Sequence, residues 1–229
     1  MENSTPNFQF VYSNANEILV KSSVISTFPF SPIKLVEEQS DIKCCTYKQA
    51  LTRTVNMSEF GSESAIIMEY KGRRIIFYND NKPLTHIRFS ILHELGYFIN
   101  NHDFNVADKE VYGCYEVETN YFAAQLLMPE QVIREFIKRG IYVTEEFLVQ
   151  HFNVSKMAAE KRIQTLAKTM TEWRSRQEKE FDDIILFKFA HFINDIYSRY
   201  QKKHFDFEEE YERQQERDSW HSHRKIYGR

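Results

Sequence analysis

The chain has 229 residues, 42% of them hydrophobic and 28% charged, enough to bury the core of one domain with an appendage. A formal net charge of -3 and a pI near 6.3 exclude a chain-wide electrostatic drive toward nucleic acid or anionic membrane. Three cysteines (Cys44, Cys45, Cys114) cannot make a paired disulfide framework, and the opening MENSTPNFQF has no secretory pattern, so the expected setting is reducing and cytoplasmic.

Residues 1–14 read as a loose lead-in, after which Ala15, Ile18, Leu19 and Val20 line one face of a short helix. Phe28 to Pro32 breaks it, and Pro32 after Ser31 opens a second short helix that ends before Ser40. Asp41 to Tyr47 reads as a strand, which would send the adjacent Cys44 and Cys45 to opposite faces as small buried hydrophobes. Ser64–Tyr70 and Arg73–Asn79 are β-rich runs joined through Lys71 and Gly72, the pattern of a hairpin with the glycine at positive φ.

From Thr85 to about Asn101 apolar residues follow helical spacing, and His93 and Tyr97, four apart, share a face. A second helix fits Gly113 to Met128 with Val117, Tyr121, Ala124 and Leu127 on its apolar side, Glu118 in its polar stripe and Pro129 at its end. Thr144 and Ser155 read as N-caps of helices ending near Phe152 and Lys168. Residues 171–200 form a long helix or helix pair whose aromatics (Phe181, Phe187, Phe189, Phe192, Tyr197, Tyr200) are core or a partner surface. Lys202 to Arg229 is a solvated helix or a disordered tail. The most apolar stretch, Ile184 to Ile196, is too short and too interrupted to span a membrane.

His93-Glu94-Leu95-Gly96-Tyr97 differs by one residue from HExxH, in which two histidines one turn apart bind zinc and the glutamate takes a proton from metal-bound water. The segment Arg88 to Gly96, followed by Glu116-Val117-Glu118-Thr119-Asn120-Tyr121-Phe122-Ala123-Ala124-Gln125-Leu126-Leu127-Met128-Pro129, closely resembles two blocks, in order, of the ImmA/IrrE-type metallopeptidases. The resemblance covers roughly residues 15–170 and implies an α+β, zincin-like peptidase domain, with residues 171–229 as a helical, charged extension. It also implies a zinc site with His93 as first ligand, Glu94 as general base and Glu118 as the carboxylate ligand. The family's second histidine falls on Tyr97. Gly96 is expected to allow close helix approach.

A phenol with an ordinary pKa of about 10 must lose its proton before it can bind zinc, so Tyr97 should weaken the metal and with it hydrolysis. Substitute ligands are not in view. His102 points to the opposite face if the helix continues, Asp103 is no better placed, and His221 and His223 would have to fold back. Two readings follow from the resemblance: a regulator that holds a partner protein such as a transcriptional repressor without cutting it, or an active zinc endopeptidase acting on such a partner. A third reading comes from residues 147–166, which have the shape of a helix-turn-helix with basic residues Lys156, Lys161 and Arg162; simple packing beside the peptidase core is the favoured alternative to DNA binding.

Overall fold

The computed structural model describes residues 5–39, 42–52, 62–103, 106–168 and 174–227. Helix α1 (Phe8–Lys21) begins within the segment expected to be a lead-in, because the Asn7 side chain accepts the Phe10 amide and Val11 and Tyr12 face the core. Ser31 caps α2 (Pro32–Glu38), whose first residue is proline. Strand β1 (Ile42–Thr46) and a short α3 (Tyr47–Thr52) precede β2 (Ala65–Tyr70) and β3 (Arg73–Tyr78).

β2 and β3 form the expected hairpin. Tyr70 pairs with Arg73 across a two-residue turn in which Lys71 (φ 52°) and Gly72 (φ 71°) are both left-handed, the turn that matches strand twist. β1 joins β3 in parallel, giving the order β1-β3-β2 with β2 at an edge. The pleat divides the cores: Ile42, Ile67 and Ile76 join the main cluster, whereas Cys45, Ile75 and Phe77 make a smaller one with Ala50 of α3. Cys44 packs against the first cluster and Cys45 lies in the second, as alternation requires.

Helix α4 (Leu84–Ile99) lies on the sheet and crosses α5 (Lys109–Leu127). α5 starts earlier than its apolar spacing implies, because Asp108 accepts the Glu110 and Val111 amides. Its buried face is also rotated from the expected one. Phe122, Ala123 and Leu126 are inside with Glu118 and Gln125, while Val117 is 44% exposed. Gly96 is the reason for the close crossing: a Cβ there would lie 3.0 Å from Phe122 Cδ1 and 3.4 Å from Thr119 Cα.

Pro129 ends α5 and precedes α6 (Glu130–Lys138), a helix the apolar pattern left unassigned. α7 (Glu145–Phe152) and α8 (Lys156–Lys168) start at Thr144 and Ser155, whose hydroxyls accept the Phe147 and Ala158 amides. Asn153 turns between them in the left-handed conformation. The helix pair expected over 171–200 is α9 (Arg176–Lys188) and α10 (Ala190–Tyr227), so the charged stretch through Tyr227 is helical. No described helix is long and apolar enough to cross a membrane.

α9 and α10 complete the main core. Phe28 meets Phe189 at 4.8 Å, Phe152 at 5.2 Å and Phe192 at 5.3 Å between ring centroids. Phe187, one of the aromatics left between core and surface, is exposed. Buried Glu130 accepts from Arg134 at 2.5 Å and meets Arg174 at 2.8 Å, and Arg174 also pairs with Asp182 of α9. Lys188 donates to the carbonyls of Leu19 and Ser22, placing a cation on the open end of α1.

The crossing at Gly96 predicts that Gly96→Val forces α4 and α5 apart and lowers stability by about 1–3 kcal/mol, read from the midpoint of chemical denaturation. Gly140→Ala, away from the crossing, should leave the α4–α5 geometry untouched and cost only the strain of a positive φ.

Candidate functional site

The crossing lays one face of α4 against α5 beside the β2 edge. Between them lies a cleft of about 660 Å³ whose walls include Ala65 and Ile67 of β2, Ser90, His93, Glu94 and Tyr97 of α4, and Tyr112, Glu116 and Asn120 of α5. His93, Glu94 and Tyr97 are brought together as their spacing predicts. The His93 and Tyr97 rings lie 5.5 Å apart between centroids.

Glu118 is not among them. It lies 200° around the helix from Glu116, on the stripe that carries Phe122 and Gln125 into the core. There its Oε1 accepts the Asn7 amide at 2.5 Å and its Oε2 sits 2.7 Å from His102 Nε2. The carboxylate facing His93 belongs to Glu116, whose Oε1 is 3.6 Å from Nε2. Asn120, one turn along the same face, places Oδ1 3.2 Å from His93 Nδ1. The signal for this pair was in the sequence as an i, i+4 relation between Glu116 and Asn120, once the buried stripe of α5 is set correctly.

His102 is not carried to a far helical face, because α4 stops at Ile99 and Asn101 reverses the chain at φ 55°. The imidazole stacks on Tyr115 at 4.1 Å and meets the edge of Tyr97 at 5.3 Å, with Glu118 as its hydrogen-bond partner. Burial lowers its pKa, against the raising effect of Glu118. Asp103 contributes to the cleft wall. The side chains of His221 and His223 lie outside the described residues.

Tyr97 determines what this arrangement can do. Its hydroxyl donates to Glu116 Oε1 at 2.6 Å. Burial first, and then the Glu116 carboxylate, push its pKa far above the ordinary 10, so the phenol keeps its proton. Glu116 moves the opposite way, to about 2, held by His93 and by the Tyr97 hydroxyl despite partial burial. A phenol that keeps its proton is a poor ligand for zinc, and Oε1 of the carboxylate nearest His93 already accepts from it. The residues His93, Glu116 and Tyr97 therefore do not fit zinc in this arrangement: the phenol is hydrogen-bonded to the carboxylate, and the imidazole lies 3.6 Å from the same oxygen.

Glu94 has a different task. Its Oε2 accepts the backbone N–H of Ile67 at 2.9 Å, tying α4 to the edge strand. Burial raises its pKa to about 7, opposed by His93 and by the Ile67 amide. At the neighbouring position along the edge, Ser62 Oγ accepts the Ala65 amide at 3.4 Å. Side chains thus cover two amides of the strand that borders the cleft.

A family model described as the IrrE N-terminal-like domain, a peptidase family, matches residues 48–164, just over half of the chain. No curated protein and no solved structure matches it.

The raised carboxyl of Glu94 sets the direction of a pH effect. Its folded pKa of about 7 exceeds its ordinary 4.5, so the folded state holds the proton between these values. The stability it contributes is complete below the unfolded value and is lost as pH rises through the folded one. Glu94→Gln, which still offers an oxygen to Ile67, should raise the melting temperature more at pH 8 than at pH 5. Equal shifts at both pH values would show that Glu94 ionises without penalty.

Proposed function

The chain belongs to the IrrE N-terminal-like domain family, and from that premise we propose that it is a regulator that binds a segment of a partner protein, such as a transcriptional repressor, without zinc hydrolysis. The Tyr97-to-Glu116 hydrogen bond carries this reading, since it engages the carboxylate nearest His93 with a neutral phenol. Without a metal, no water is activated for Glu94 to deprotonate.

The cleft remains suited to an extended peptide. One wall is an edge strand, and such edges capture peptides through main-chain hydrogen bonds while alternate side chains enter pockets. Glu94 stands at the Ile67 amide, so a peptide that adds a full strand must displace that carboxylate.

Hydrolysis by a zinc-loaded form is the second reading, favoured by one observation: a carboxyl near pKa 7 is poised as a general base. Nucleic-acid binding through residues 147–166 is the weaker alternative. Lys156 is engaged by Glu145 at 3.4 Å and Glu146 at 3.5 Å, and Arg162 is buried, donating to Met128 O at 2.9 Å. That distribution leaves a thin basic face for phosphates.

Elemental mass spectrometry of the gently purified chain should find little zinc, and Tyr97→His prepared in parallel should approach one zinc per chain. Near-stoichiometric zinc in the unmodified protein would overturn the non-hydrolytic reading. Peptides selected from a displayed library should stay bound in the presence of chelator and with Glu94→Gln, and should be released by Ser90→Arg in the cleft wall.

A further inference from the structure

A second depression opens beside the cleft, a mostly apolar groove of about 440 Å³ between α4, α5 and α8. Val117, Tyr121 and Ala124, the stripe of α5 whose spacing marks it as apolar, line this groove, and none of the three is fully buried. Met157 of α8 lines it too and is 65% exposed. Apolar groups gathered in one open concavity mark a binding surface, unlike those scattered singly over a protein.

Continuity and charge say what fits there. Phe89 and Asn120 line both the cleft and the groove, so a segment lying past His93 reaches the groove without leaving the surface. The groove is lined by Lys161 and Arg162 and by no carboxylate. Lys161 is exposed and has no ion pair among the described residues. Arg162 is 2% exposed, and its partners are neutral: Nε donates to Met128 O at 2.9 Å and Nη2 to Gln125 Oε1. Its buried Nη1 is left without a hydrogen-bond partner among the described residues. The Glu130 carboxylate acts on this guanidinium from beyond ion-pair distance and is already paired with Arg134 and Arg174. Positive charge therefore stands uncompensated in an apolar setting, where it acts more strongly than in water.

We propose that the groove is the specificity subsite of the cleft, taking a large apolar side chain of the bound partner segment together with the carboxylate of a neighbouring Asp or Glu. This rests on the reading that the cleft holds such a segment. A phosphate would use the cations and leave the apolar walls bare, and a wholly apolar ligand would bury the cations unpaired. The apolar residue covers Val117, Ala124 and Met157, while the carboxylate meets Lys161 above the charge of Arg162. Continuity with the cleft and its edge strand selects a peptide over a free fatty acid of the same chemistry.

Peptides from a displayed random library test this. Those selected on the native chain should carry an apolar residue with Asp or Glu beside it, and selection on Lys161→Glu should replace that acid with Lys or Arg. In fluorescence anisotropy the peptide most enriched on the native chain should bind about tenfold more weakly to Val117→Gln. Lys161→Glu should weaken it by about tenfold or more, with a larger loss at low salt. Both side chains are exposed, so melting temperatures should not change. Peptides that are lost with Ser90→Arg but indifferent to both groove substitutions would overturn this proposal and leave the cleft reading standing. Failure to select any peptide lost with Ser90→Arg would overturn both. Laurate that saturates the groove without displacing the peptide would assign it to a free fatty acid instead.

Discussion

The absence of a side chain at Gly96 governs the distance between α4 and α5, since a Cβ would meet Phe122 at 3.0 Å. Close crossing puts the residue one turn before the glycine and the residue that follows it within reach of the opposing helix. His93 then meets Asn120, and Tyr97 meets Glu116. A wider crossing would separate both pairs by more than hydrogen-bond length, and the cleft against β2 would lose its floor.

Within that frame two neighbouring carboxyls are driven apart in acidity. Glu94 is desolvated against the edge strand and titrates near 7; Glu116 accepts from Tyr97, faces His93 and titrates near 2. Separated acidities of this kind often mark acid and base partners in catalysis. In this chain the lower one accepts a hydrogen bond from the Tyr97 phenol, whose proton that bond helps to retain. His102 and Glu118 repeat the pattern behind it, joining the end of α4 to α5 and to the backbone at Asn7.

The C-terminal helices are bound into the body by two different forces. Phe28, Phe152, Phe189 and Phe192 supply apolar contact, and the group Glu130, Arg134, Arg174 and Asp182 supplies directed charge. Buried ion pairs add little net stability against an apolar replacement, but breaking one strands a charge at a cost of about 3–5 kcal/mol. The aromatic cluster therefore provides the bulk of the attachment, and the charges fix where α9 sits relative to α6. Beyond Tyr200 the described side chains of α10, which end at Arg217, are exposed.

Local chemistry made much of this legible in advance. The hairpin turn, the caps at Thr144 and Ser155, the alternation of Cys44 and Cys45, and the His93–Tyr97 face all depend on residues near one another in the chain, where periodicity and capping rules hold. The replacement of a histidine by Tyr97 was equally plain, because it is a change of identity. Which carboxylate faces His93 was not settled that way: Glu116 and Glu118 differ by two residues, and only the rotation of α5 imposed by Gly96 and Phe122 sends one to the cleft and the other to the core. His102 likewise depended on where α4 ended, and the first turns of α1 on a core completed by residues more than a hundred positions away. Such outcomes are decided by packing between distant segments, to which the spacing of residues along one helix is blind.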